Sequence, residues 1–304
     1  MSAAAVDRHP RTPRPSLSLS PSSLQSLSLP RIICLHGGGT NARIFHAQCR
    51  AIREHLAPYF RLVFAEAPYL ASSVGGPDVK LVYPESEWGC YRSWLPAGFP
   101  LLSASTVVVV GSEVVDHIDE YLAAAMSEDD ALGGTGKWVG LLGFSQGAKM
   151  AGSLLLRSQT IRHQEPKSAD ISSISTTPPA RTIPWKFAVL IAGRAPLIDL
   201  LLPLHPNHKD QDAYPIADSN NVQNPPVREF LQLPTVHVHG LGDPSLSMHR
   251  DLLYWYRDKS TTRLVEWDGD HRVPIKSTDV SAVVTEILQV AREVGISLLA
   301  KFSH

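Results

Sequence analysis

The chain has 304 residues, 43% of them hydrophobic, which suits one large α/β domain with a sizeable core. Its 28 basic and 29 acidic residues are interspersed and leave a net charge of −1, so it lacks the basic footprint of a nucleic-acid binder. Three cysteines, Cys34, Cys49 and Cys90, show no metal or redox spacing, and no apolar run approaches the roughly 20 residues of a membrane span. Free thiols and no span point to a reducing compartment, the cytoplasm.

Residues 1–30 read as a disordered Ser/Pro-rich tail, with Arg8, Arg11 and Arg14 and a single acid, Asp7. They hold no continuous apolar stretch, so a secretory signal does not fit. A basic, serine-rich, acid-poor start also suits an organelle transit peptide, the alternative reading. Residues 31–304 are expected to form a single domain. Arg31 to Leu35 is the first strand, and it ends at His36-Gly37-Gly38-Gly39. Phe45, Cys49, Ile52 and Leu56 then share one face of a helix. Leu62 to Ala65 is the second strand, and a long aromatic-rich connection follows to about Thr106. Val114, Val115, Ile118, Leu122 and Ala125 mark an amphipathic helix.

Trp138 to Leu142 is a short buried strand, and Ala148 to Arg157 is a helix. Between them stands Gly143-Phe144-Ser145-Gln146-Gly147, the G-x-S-x-G of a nucleophile elbow. The glycines let the backbone turn sharply, and the turn offers the serine hydroxyl at a helix N-terminus. Residues 159–184 turn polar and Ser/Thr/Pro-rich and are expected to be a flexible insertion. Strands follow at Phe187–Ala192, Thr235–His239 and Arg263–Trp267. An irregular stretch covers 203–227, and helices cover Leu246–Lys259 and the segment of Val280 to Ala291. Strands alternating with helices predict a mostly parallel central sheet with helices on both faces.

A serine nucleophile needs a base and a group to orient it. In α/β-hydrolases the acid and then the histidine follow the serine, on loops after later strands. Asp243 stands just after the strand ending at His239, and His271 just after the strand ending at Trp267. Ser145, Asp243 and His271 are therefore the candidate catalytic residues. The backbone N–H groups of Gly38 and Gln146 are the candidate oxyanion donors. Each has a plainer reading: Ser145 and Asp243 would also serve as helix caps, and Asp270 is a neighbouring acid, although it adjoins His271 too closely to orient that ring. His36 reads as a structural hydrogen-bonder. His205, His208, His237 and His239 suggest no metal set, and Gly37-Gly38-Gly39 lacks a dinucleotide fingerprint, so neither metal nor cofactor is expected.

Together these residues resemble the fungal serine hydrolase family, small α/β-hydrolases that include esterases and thioesterases of polyketide pathways. The resemblance spans roughly Arg31 to Ala291. It is carried by Ile33-Cys34-Leu35-His36-Gly37, Phe64-Ala65-Glu66-Ala67-Pro68, Gly143 to Gly147, His237-Val238-His239-Gly240 with Asp243-Pro244, and Gly269-Asp270-His271-Arg272-Val273-Pro274. It implies the same trio, Ser145, Asp243 and His271. It also implies an acyl ester or a carrier-bound acyl thioester as substrate, the carrier belonging to a polyketide synthase. Tyr69, Tyr83, Trp88, Tyr91, Trp94 and Phe99 are candidates either for an apolar acyl pocket or for ordinary packing under the long connection.

Overall fold

The computed structural model describes residues 26–99, 108–164, 182–201, 231–256 and 260–298. The first elements are β1 (Arg31–Leu35), α1 (Ala42–Gln48), α2 (Arg50–Leu56) and β2 (Arg61–Ala65). The aromatic-rich connection holds β3 (Tyr69–Leu70), α3 (Pro77–Val82), α4 (Glu85–Trp88) and β4 (Arg92–Ser93). Then come β5 (Val108–Val109), α5 (Ser112–Ala131), β6 (Trp138–Phe144), α6 (Gln146–Gln164), β7 (Phe187–Ile191) and β8 (Ile198–Asp199). The last elements are β9 (Thr235–Gly240), α7 (Leu246–Tyr256), β10 (Thr262–Trp267) and α8 (Ser277–Glu293).

The main sheet runs β10-β9-β7-β6-β1-β2, and every pair in it is parallel. Its inner strands are apolar on both faces, as burial between two helical layers requires. Ile33, Leu35, Leu141 and Leu190 face one core with Ile118 and Leu122 of α5 and Leu154 of α6. Ile32, Cys34, Leu142 and Val189 face the other, with Phe45 of α1, Ile52 of α2 and Val283 and Ile287 of α8. The chain goes from β1 out to β2, then crosses to the other side of β1 as β6 and continues to β10. The strand order therefore reverses between β1 and β6, where a crevice opens at the carboxyl ends of the strands.

Three boundaries differ from the sequence expectation. The helix expected through Phe45, Cys49, Ile52 and Leu56 is two helices, because Cys49 leaves helical geometry with ψ 8. The four residues stay buried together, so the periodicity survives the break. The domain also begins before Arg31: Leu29 is buried, and the Leu27 carbonyl accepts from the Thr135 and Gly136 amides. Finally, the polar stretch from 159 starts inside α6. Gln159 and Thr160 are buried, and Gln159 Oε1 accepts from the Gln232 amide at 2.7 Å. Polar residues there satisfy a packed helix instead of marking its end. Residues 1–25, 165–181, 202–230 and 257–259 lie outside the described residues, and with them most of the tail, the body of the expected insertion and the irregular stretch. Among the described residues, no helix is long and apolar enough to cross a membrane.

Candidate active site

Ser145 sits at φ 53, a left-handed conformation that costs a non-glycine residue free energy. Its N–H donates to the Ile191 carbonyl at 2.9 Å, and its own carbonyl accepts from the Ala148 and Lys149 amides. The flanking glycines are steric necessities. A Cβ on Gly143 would fall on the Gly147 carbonyl, and a Cβ on Gly147 would fall on the carbonyl of Leu35 in β1. Close packing of β6, the turn and β1 thus fixes the hydroxyl at the crevice between the two strands.

The loops after β9 and β10 bring Asp243 and His271 to the same place. Ser145 Oγ lies 2.9 Å from His271 Nε2, and His271 Nδ1 lies 2.6 Å from Asp243 Oδ2. A carboxylate can only accept, so Nδ1 carries the proton and Nε2 is left to accept from the serine hydroxyl. Asp243 Oδ1 accepts from the Ser245 amide at 2.8 Å, so the acid also caps the turn into α7, the plainer role considered for it. Burial pushes the Asp243 carboxyl up, but hydrogen bonds from His249, the Ser245 amide and His271 bring it below its ordinary value. Burial lowers the His271 pKa below the usual 6.5, with Asp243 opposing the shift and Arg194 and His249 adding to it.

Sequence reasoning passed over His249. It is fully buried, with Nε2 2.8 Å from the same Asp243 Oδ2 and Nδ1 2.9 Å from the Gly193 carbonyl. The signal lay in α7, where His249 stands three residues before the buried Leu252, on one helical stripe. Asp243, His249 and His271 bring three potential metal-ligand atoms within 4.8 Å of one another. Their separations of 2.6 and 2.8 Å are those of direct hydrogen bonds from two imidazoles to one carboxylate oxygen.

On the β1 side, Gly38 lies against Gln146, where an added Cβ would stand 2.9 Å from Gln146 Oε1. That oxygen accepts from the Trp94 amide at 2.9 Å, and Trp94 Nε1 donates to the His36 carbonyl at 2.9 Å. Among the described residues, the N–H groups of Gly38 and Gln146 donate to no protein acceptor. His36 is structural, as expected: its Nε2 accepts from the Ala67 amide at 3.1 Å. Of the aromatic residues, Trp94 is fully buried and belongs to the packing. Tyr91 instead lines a groove of about 560 Å³ with Leu70, Val74, Lys80, Pro84 and Cys90. The groove adjoins the glycine loop, since the Gly75 amide donates to the Gly39 carbonyl at 3.0 Å. Arg272, next to His271, pairs with Asp78 of α3 and ties that wall to the histidine loop.

A strained serine on a strand-to-helix turn, at the reversal point of a parallel sheet with helices on both faces, defines the α/β-hydrolase fold. Within that class the chain belongs to the serine hydrolase (FSH1) family, whose model matches residues 26–283. It is 51% identical over 264 residues to a probable esterase of Aspergillus terreus, covering 87% of this chain and 90% of that protein. It is 46% identical over 276 residues to esterase pigG of Monascus ruber, covering 89% and 94%. It is 46% identical over 278 residues to probable esterase afoC of Emericella nidulans, covering 88% and 92%. Among solved structures, SOBER1 of Arabidopsis thaliana is alike over 86% of this chain and 99% of that one, at 14% identity and a TM-score of 0.47.

Proposed function

We propose that the protein is an acyl hydrolase that cleaves esters or thioesters through an acyl-enzyme on Ser145. The observation that carries this reading is the continuous chain from Ser145 Oγ through His271 to Asp243, 2.9 and 2.6 Å per link. Ser145 Oγ attacks the acyl carbonyl while His271 Nε2 takes its proton. The carbonyl oxygen, now anionic, receives the N–H groups of Gly38 and Gln146, each worth about 3 kcal/mol of transition-state stabilisation. His271 returns the proton to the departing alcohol or thiol. Water then attacks the acyl-enzyme by the same route and releases the carboxylic acid. Asp243 holds the ring in its tautomer and stabilises the imidazolium.

Within this reading the substrate is a polyketide acyl chain carried as a thioester on a synthase carrier domain, and the family resemblance supports that choice. The names of the similar fungal proteins favour the second reading, a free-standing carboxylesterase on small-molecule esters.

A serine-directed fluorophosphonate should label the protein, and Ser145→Ala should abolish both labelling and hydrolysis. Labelling that survives at another residue would remove Ser145 from the mechanism. One acyl group offered as an N-acetylcysteamine thioester and as an aryl oxygen ester separates the two substrate readings by kcat/KM. A thioester preference supports chain release from a carrier, and an oxygen-ester preference supports the carboxylesterase.

A further inference from the structure

Two cations beside Ser145 take no part in the relay. Lys149 lies one helical turn beyond the serine, in the first turn of α6, and is only 8% exposed. Arg194 follows β7, the strand next to β6 on the side away from β1. The two segments are in contact, since a Cβ on Gly193 would stand 3.2 Å from the Ala148 Cβ. On its other side the same loop is held by His249 through the Gly193 carbonyl. Among the described residues neither cation has a hydrogen-bond or ion-pair partner, and Arg194 Nε is buried with no acceptor. Asp243 does not serve them, because its oxygens are taken by His271, His249 and the Ser245 amide. Burial, then the nearby Arg194 charge, lowers the Lys149 pKa to about 8.

Lys149 is buried, whereas Arg194 is part-exposed with its Nε covered; like charges so placed repel and lose hydration, and a buried charge without a counter-ion is destabilising. Such a pair is stabilised when an anion enters between the two groups. We infer that Lys149 and Arg194 form an anion subsite beside the nucleophile, which selects substrates bearing a carboxylate on the acyl chain. The inference rests on the acyl-hydrolase reading of Ser145. The position favours the acyl side over a carrier arm. Arg194 lies three residues past Ile191, whose carbonyl accepts from the Ser145 amide at 2.9 Å, whereas the phosphate of a pantetheine arm stands at the far end of the arm from its thioester. The subsite lies across Ser145 from the Gly38 loop, so an acyl group could offer its carbonyl to one side and its carboxylate to the other.

The test compares 4-nitrophenyl half-esters of dicarboxylic acids of six to eight carbons with the neutral esters of matching length, corrected for spontaneous hydrolysis. The wild type should prefer the anionic esters. Lys149→Met and Arg194→Met should each lower the anionic-to-neutral ratio of kcat/KM about tenfold or more, mainly through KM, the size expected for losing a charged hydrogen bond. Fluorophosphonate labelling counts the folded sites in each variant. Wild type alone provides a second readout: adipate should inhibit neutral-ester hydrolysis competitively and more strongly than hexanoate. An unchanged ratio in both variants, or no advantage of adipate over hexanoate, overturns the subsite. Hexanoyl-pantetheine with and without its 4′-phosphate forms the other arm, and a preference seen only there overturns the acyl-side assignment. If the neutral esters are not cleaved in a Ser145-dependent way, the acyl-hydrolase reading fails instead.

Discussion

Asp243 Oδ2 is shared by two histidines, at 2.6 Å from His271 and 2.8 Å from His249, and this sharing has kinetic consequences. His249→Ala would remove one donor and open space behind the carboxylate, so kcat/KM should fall about ten- to a hundredfold. His249→Gln can keep a nitrogen donor near Asp243 but cannot carry charge, and it should recover most of that loss. The pH profile separates charge from position. In the proposed mechanism His271 is a base only when neutral, and burial sets its pKa below the ordinary 6.5. Activity should therefore persist below pH 6.5 and fall only as the pH drops through that lowered value. His249 contributes to the lowering, so His249→Gln should move the acid limb of kcat/KM upward. A limb that stays in place would limit His249 to positioning. The convergence of Ser145, Asp243 and His271 was legible in the chain because each follows a recognisable strand in a fixed order, and the structure brings the three side chains within hydrogen-bond distance. His249, Lys149 and Arg194 were not. Their roles depend on which loop lands against which helix, and no local pattern encodes that.

At the scale of elements, the strands were legible because each inner one is a short apolar run between turn residues, whereas helix ends were not. Cys49 interrupts a helical stripe without disturbing its period, and Gln159 extends α6 by finding a partner 73 residues away. β9 carries a different surprise. His237 and His239 read as ordinary strand residues, yet both are buried, with ring centroids 6.0 Å apart and Nδ1 atoms that lack partners. Burial, and then a neighbouring histidine, lowers their pKa values to about 3 and about 4. The unfolded chain takes up these protons near pH 6.5, while the folded strand refuses them until far lower. Stability is therefore full above pH 6.5 and is lost as the pH falls toward 4, by about 1.4 kcal/mol per pH unit for each residue. Urea unfolding between pH 7.5 and 5 should show at least that slope, and His237→Leu should lower it by one residue's share, about 1.4 kcal/mol per pH unit. An identical slope in the variant would mean that other groups drive the acid sensitivity.

The whole molecule separates its chemistry from its structural charges along the strand direction. Ser145, Asp243, His271 and the glycine loop all follow the carboxyl ends of strands, whereas a largely buried ion network sits at the opposite edge. Arg31 opens β1, stacks over Trp138 at 4.1 Å and donates to Asp129 at 3.1 Å, to Asp130 and to the Gly136 carbonyl. Asp129, at the end of α5, also accepts from Arg61 at the start of β2 at 2.7 Å. One carboxylate thus joins two strands to a helix. The five residues of β1 separate this network from the site by about 16 Å, at roughly 3.3 Å per residue. Asp129 and Arg31 are 4% and 6% exposed, so removing the acid leaves the buried Arg31 guanidinium with Asp130 as its remaining carboxylate and takes the same partner from Arg61. Asp129→Ala should cost about 1–3 kcal/mol of stability, because Asp130 still faces Arg31. The same change should leave kcat per fluorophosphonate-titrated site near the wild-type value, because nothing in the relay or the glycine loop touches the network. Thermal unfolding and active-site titration together decide the point. A variant that loses stability but keeps its per-site rate confirms two independent edges joined by a rigid sheet. A per-site rate that falls with stability would mean that strain at the amino ends of β1 and β2 reaches Gly38 through the strand, and that the glycine loop depends on the far edge for its position.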